Sequence, residues 1–364
     1  MNCLLSKRNP MPYENYQPIV EVTRGSVVES VHFGALVIAD SNGQVLASWG
    51  DPQTTTYLRY SAKPFQALPF VEMGGVETFG LSEKELAVMC ASHTGTDEHV
   101  ATVLGIQQKL GVSESSLLCG THTPSDEPTA RALLLRGEQP TPNRHNCSGK
   151  HTGMLGQALL RHLPLEDYIN PLHPIQQTIL AGFAEMCDLT PDAVVVGIDG
   201  CSAPNFAVPL YNAAVAFARL ADPERMPAKV ARALRHIYHA MWSNPVMIAG
   251  PGRFDTRLMD VLGGAVVSKG GAEGYQAIAV APGVIDKNSP GLGITLKISD
   301  GDLSSRARHV VAMEILRQLG VLQDSQAKAL SEFDTTPLYN FRHLEVGMLR
   351  PCFMLEKRPI YYGA

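Results

Sequence analysis

The chain has 364 residues, 45% of them hydrophobic and 18% charged, with a formal net charge of -5. This is the composition of a globular protein long enough for one large core or two lobes, and so small a charge gives no reason to expect a nucleic-acid partner. The opening MNCLLSKRNPMPYENYQ has no apolar run of signal-peptide length, and no later stretch reads as a membrane span, so a cytoplasmic location is expected. Seven cysteines, at positions 3, 90, 119, 147, 187, 201 and 352, form an odd and scattered set, which argues against a disulfide framework.

Residues 1–17 read as an N-terminal extension. Strands follow at PIVEVTR (18–24), VHFGALVIAD (31–40) and QVLASW (44–49), the last two joined by Ser41-Asn42-Gly43, where Asn-Gly signals a hairpin. From about 61 to 254 the pattern turns mostly helical: ATVLGIQQKLG, PIQQTILAGFAEM and AKVARALRHIYHAMW carry apolar residues at helical spacing. AVVVGID (193–199) interrupts them as a short, buried strand. Strands return at GYQAIAVAP (274–282) and LGITLKISDGD (292–302), and ARHVVAMEILRQLG (307–320) reads as a helix. The layout predicts a single α+β domain over 18–350, with a C-terminal tail at 351–364. Its sheet would be assembled from about 18–60 and 255–350, drawing both ends of the chain around one cleft.

Several short segments are rich in reactive side chains and poor in bulky apolar ones: RYSAKPF (59–65), CASHTGT (90–96), NCSGKHTG (146–153), GIDGCSAP (197–204) and VSKGGAEG (267–274). The first raises a question of pairing. Tyr60 and Ser61 both precede Lys63, and a lysine can serve as base to a neighbouring hydroxyl. On a helix, residues three apart share a side, which favours Tyr60 over Ser61. Plain alternatives exist for each group. Ser92 also reads as a helix-terminal serine, Lys63 before Pro64 as a solvated first-turn lysine, and Lys269 as a loop lysine ahead of a strand. Cys147 and Cys201 lie 54 residues apart, without the paired spacing of structural zinc sites. His145 and His151 flank Cys147, and Lys150 beside it would make the thiol more nucleophilic. On spacing alone these are buried thiols.

Taken in order, RYSAKPFQALP, CASHTG, NCSGKHTGML, IDGCSAPNFAVPL, AGPGRFDT, SKGGAEG and KISDGD resemble the motifs of the L-asparaginase II family, the rhizobial thermolabile type, from about residue 18 to 350. The resemblance implies hydrolysis of L-asparagine to L-aspartate and ammonia. It also implies a serine β-lactamase/glutaminase-like fold with an antiparallel sheet, and a homodimer. It further implies two serine–lysine pairs, of which one carries over as Ser92 with Lys269 and the other leaves Lys63 as base. A zinc site made by Cys147, Lys150 and Cys201 is implied as well, and Arg59, His93, Asn146, His151 and Asp199 are expected around the substrate. The chain departs from the pattern at one place. Tyr60 stands where the family has the serine of Ser-x-x-Lys. Three consequences stay open: Ser92 attacks with Tyr60 relaying a proton, Tyr60 itself attacks, or catalysis is altered or lost. A related amidase acting on glutamine, a peptide or a β-lactam, and a zinc- or asparagine-binding homologue without turnover, are the alternatives.

Overall fold

The computed structural model describes residues 13–358. Residues 1–12 of the expected N-terminal extension, with Cys3, and residues 359–364 of the expected tail lie outside the described residues. The strands are β1 (Gln17–Arg24), β2 (Val27–Asp40), β3 (Val45–Trp49), β4 (Thr55–Tyr57), β5 (Val195–Ile198), β6 (Pro204–Pro209), β7 (Val266–Gly270), β8 (Tyr275–Val280), β9 (Leu292–Ile298), β10 (Thr336–Tyr339) and β11 (Glu345–Pro351).

The main sheet runs β10-β11-β1-β2-β9-β8-β7, and β3 also pairs with β2. All its pairings are antiparallel. β2 is central because it is long. Its first half pairs with β1 and its last residues with β3, while β9 lines its other edge. The two chain ends therefore meet in one sheet, the α+β layout expected from the pattern. The predicted hairpin is present, with Gly43 at a positive φ of 86°.

Both faces of this sheet are covered, and the side-chain alternation shows how. Leu36 and Ile38 of β2 join Leu292, Ile294 and Leu296 of β9 in one core cluster with the helix Arg306–Leu319. Ala35, Val37 and Ala39 point the other way, into the core shared with the helical region. The second face is lined with small residues because the helix Leu210–Ala221 lies tight upon it. A Cβ added at Gly293 would come 1.8 Å from the Ala214 carbonyl oxygen, and Thr295 Oγ1 donates to the Leu210 carbonyl at 2.8 Å. At the centre of the helical part lies the helix Lys63–Glu72, buried from Lys63 to Val71 and packed against the helices Ser148–Leu160, Pro174–Met186 and Ala228–Ser243. Among the described residues no helix is long and apolar enough to cross a membrane.

Two expectations need correction. AVVVGID does form a strand, β5, but it is not buried. Val195, Val196 and Ile198 are exposed because β5 is an edge of a separate three-stranded sheet, β4-β6-β5, that covers only one of its sides. Lys269 is not in a loop: it sits inside β7, paired opposite Ala277 of β8.

Candidate active site

A cleft of about 670 Å³ opens where β7, the turn after Cys90, the segment before the helix Ser148–Leu160 and the loop after β9 converge. Four non-glycine residues on its lining, Ser202, Glu273, Asp302 and Ser305, adopt φ between 42° and 70°. Such conformations are costly and persist where surrounding packing imposes them, commonly at functional sites.

Ser92 and Lys269 both line this cleft. Ser92 follows the helix Glu83–Met89, and its backbone N–H donates to the Ile248 carbonyl. Its Oγ accepts a hydrogen bond from Asn146 Nδ2 at 3.0 Å, so the hydroxyl proton remains available to another acceptor. The Lys269 side chain is buried, and its Nζ donates to the Gly270 carbonyl at 2.8 Å. Burial lowers its pKa from 10.5 to about 7; Asp255 opposes the shift, while the nearby charges of Lys63 and Arg308 add to it. A large fraction is therefore neutral near neutral pH. Among the described residues no hydrogen bond joins Ser92 to Lys269 directly. Asp255, which carried no role in the sequence reading beyond its place in AGPGRFDT, is fully engaged here. Its Oδ1 accepts from Ser268 Oγ and Gln276 Nε2, and its Oδ2 from the Gly270 N–H. Burial works against its charge, but Lys269 and these donors keep its pKa low.

The question of which hydroxyl faces Lys63 resolves against both. Ser61 is fully buried and its Oγ donates to the Lys269 carbonyl at 2.7 Å, which ties the start of the Lys63 helix to β7. The Lys63 ammonium donates to the carbonyls of Ala91 and Asn146. It stands 5.1 Å from the centre of the Tyr60 ring, a cation–π contact rather than an approach to the phenol oxygen. Burial pushes the Tyr60 phenol above its ordinary pKa, and the neighbouring Cys147 and Asp199 charges add to this. The hydrogen bond with Asn146 and the charge of Arg59 lower it by less than burial and these two neighbours raise it. Tyr60 nonetheless lines the cleft.

Behind Tyr60 lies a second cluster. One ligand atom each of Cys147, Asp199 and Cys201 fall within 4.8 Å of one another, all buried. Lys150 Nζ donates to Cys201 Sγ at 2.9 Å. Burial opposes charge on both partners, yet Cys147 is held well below the ordinary thiol range by Cys201, Lys63 and Lys150. In the same way Cys201, Cys147 and Asp199 raise Lys150. Two thiols, a carboxylate and an amine converging in a dry pocket is a donor set that suits zinc. His145 is not part of it: its Nδ1 accepts the Cys147 N–H. Asp199 also pairs with Arg59, Nε to Oδ1 at 2.8 Å.

Of the residues expected around the substrate, His93 and Asn146 line the cleft, whereas Arg59, Asp199 and His151 do not. Arg59 and Asp199 belong to the wall of the cysteine cluster. His151 is fully buried, with Nδ1 against the Tyr168 hydroxyl at 2.6 Å and the Cys201 thiol beside its ring. Its helix turns it inward from the cleft. His93 receives the Gly95 N–H at Nδ1, which leaves Nε2 as the donor to Ser148 Oγ at 2.9 Å. Burial, then His99 and Lys63, hold it neutral, and burial with His122 and Lys63 lowers His145 to about 4.

Seen whole, the chain matches the model of the L-asparaginase II family over residues 20–351. The chain belongs to the L-asparaginase II family. Family membership makes it an amidohydrolase. No match to a curated protein was found. Among solved structures the chain is similar to a probable glutaminase from Bacillus subtilis bound to 6-diazo-5-oxo-L-norleucine, at 11% identity and a TM-score of 0.38, over 79% of this chain and 84% of that one. A second structure of Bacillus subtilis probable glutaminase gives 13% identity and a TM-score of 0.39, over 79% and 88%. A Bacillus glutaminase in 4.3 M NaCl gives 12% and 0.36, over 79% and 91%. Likenesses this distant carry no argument about chemistry. Within the L-asparaginase II match fall Ser92, Lys269, Lys63, the two thiols and Lys150, so the cleft and the cysteine cluster lie in the part of the chain that defines the family.

Proposed function

We propose that this L-asparaginase II family member hydrolyses L-asparagine to L-aspartate and ammonia, with Ser92 as nucleophile and Lys269 as its base. The observation that carries this reading is the buried Lys269 amine, brought to about 7 in the same cleft as a serine whose oxygen is oriented by Asn146. A neutral amine there can accept the Ser92 proton as Oγ bonds to the side-chain amide carbon. When the C–N bond breaks, the proton returns from Lys269 to the departing nitrogen, which leaves as ammonia. Water then attacks the Ser92 ester, again losing its proton to Lys269, and frees L-aspartate. Ser-Lys pairs are an established variant of nucleophile and base.

Tyr60 is not the nucleophile in this reading. Its phenol stays protonated, and its ring covers Lys63, whose own pKa burial lowers; whatever positive charge Lys63 carries lowers the pKa of Lys269 in turn. Cys147, Lys150, Cys201 and Asp199 would hold a zinc ion. Bound there, it would supply a fixed positive charge behind the Tyr60 wall of the cleft. A homodimer completes the reading, on the strength of the family resemblance.

The test is ammonia release from L-asparagine, with L-glutamine alongside, by purified protein at about pH 8.5, where Lys269 is neutral. Turnover of asparagine that falls to background in Ser92→Ala supports the proposal. Undiminished turnover in that variant removes Ser92 from the mechanism, and release from glutamine alone replaces the substrate.

A further inference from the structure

A substrate of the proposed kind brings a carboxylate into the cleft, and a carboxylate moved out of water needs a cation that is not already paired. The cleft's cations and histidines can be taken in turn. Lys63 is tied to two backbone carbonyls and covered by Tyr60. Lys269 is the proposed base. His93 and His309 are held neutral by burial, His145 Nδ1 accepts the Cys147 N–H, and His122 is spent on the Asn146 N–H and the Thr123 carbonyl. Arg253 is an exposed residue at the rim. Arg308 remains.

Arg308 lies on the first turn of the helix Arg306–Leu319, and its guanidinium reaches across to the end of β7. Nη1 donates to the carbonyls of Gly271 at 2.6 Å and Tyr275 at 3.4 Å. A Cβ placed on Gly270 would come 3.5 Å from the same nitrogen, so the guanidinium sits one residue along the strand from Lys269. Nε is buried and has no hydrogen-bond partner among the described residues. No carboxylate forms an ion pair with this arginine there either. The two acids nearest in charge are spent elsewhere: Asp255 on Ser268, Gln276 and the Gly270 N–H, and Asp302 on the backbone N–H groups of Ala307 and Arg308. Glu273, the remaining acid on the lining, is exposed at the rim. Nη1 is thus anchored to backbone, while Nη2 carries no hydrogen bond among the described residues, in a wall of the cleft that holds Ser92 and Lys269.

We propose that Arg308 receives the α-carboxylate of the substrate and so selects free amino-acid amides over substrates lacking that group. The inference rests on the amidohydrolase reading above and names its specificity. Arginine suits the task because its fixed fork matches a carboxylate, and the backbone contacts to Gly271 and Tyr275 orient it before substrate arrives. The same contacts couple recognition to chemistry, since Gly271 follows Lys269 by two residues.

The experiment compares L-asparagine with L-asparaginamide, which keeps the side-chain amide and replaces the α-carboxylate by a neutral carboxamide. It uses wild type, Arg308→Gln and Arg308→Lys. Arg308→Gln should lower kcat/KM on L-asparagine at least about 100-fold while changing it less than about threefold on L-asparaginamide, and Arg308→Lys should fall between. Equal losses on both substrates would show that Arg308 only braces the Gly271–Tyr275 turn and overturn the proposal, as would no loss on either. L-Aspartate binding, followed by calorimetry with melting temperatures as a folding control, separates the two readings. An inactive wild type that binds L-aspartate only when Arg308 is present sinks the amidohydrolase reading and keeps this one. Binding unchanged in Arg308→Gln sinks this one, whatever the turnover.

Discussion

Replacing Lys269 with methionine should abolish turnover and, at the same time, stabilise the fold. The side chain is buried, and its pKa falls from 10.5 to about 7. At about 1.36 kcal/mol per pH unit, forcing the proton onto it in the folded state costs on the order of 5 kcal/mol. Below about 7 the lysine is protonated in both states and the full cost is felt. Between about 7 and 10.5 only the unfolded chain holds the proton, so the stability of the wild type rises with pH across that window and levels off above it. Methionine has a similar length and no proton to gain. The variant should therefore be more stable than wild type at about pH 6, with an advantage of up to about 5 kcal/mol that shrinks by roughly 2 kcal/mol between pH 7 and 9. Loss of the bond to the Gly270 carbonyl and of the partner charge for Asp255 trims the absolute gain, but neither removes its pH dependence. Urea unfolding of both proteins at several pH values measures this directly, and wild-type turnover should rise through the same pH near 7. A stability difference that stays flat from pH 6 to pH 10 would refute the claim that the buried amine is neutral near pH 7, and the mechanism would lose its base.

Tyr60→Phe keeps the ring over Lys63 and removes only the hydroxyl, so its kcat should fall less than about tenfold; complete loss would make the phenol oxygen a participant after all. Zinc should bind at one ion per chain, fall in Cys147→Ser and Cys201→Ser, and be lost on acidification because Lys150 must shed its proton to ligate; metal analysis at about pH 8 and pH 5.5 checks each. Gly293→Ala would drive a methyl group into the Ala214 carbonyl oxygen, 1.8 Å from the ideal Cβ position, and should cost about 3 kcal/mol or more in urea unfolding. A loss under 0.5 kcal/mol would mean that the helix Leu210–Ala221 can lift from the sheet at little cost.

Much of this molecule was legible in local pattern. Strands β1, β2, β3, β8 and β9 and the helix Arg306–Leu319 announce themselves by period-2 and helical spacing, and the hairpin at Gly43 by its turn residues, because each signal lies within a dozen residues of itself. The reactive segments also stand out, since clusters of Ser, Lys, Cys and Gly without bulky apolar neighbours contribute little to a core. What the sequence could not order is direction. Ser61, one residue from Tyr60, turns away to the Lys269 carbonyl, and Lys63 finds carbonyls and a ring face instead of a hydroxyl; these choices depend on where β7, 200 residues later, passes the helix. The same holds for burial. Val195, Val196 and Ile198 read as core yet lie on an open edge, whereas His151, in a polar motif, is sealed behind the cleft. Arg308 drew no notice, because nothing nearby in sequence marks an arginine whose neighbouring carboxylates are all engaged by other donors. Local chemistry named the reactive groups. Their partners, protonation and exposure came only from long-range packing, which decides how much water each group loses and which charges replace it.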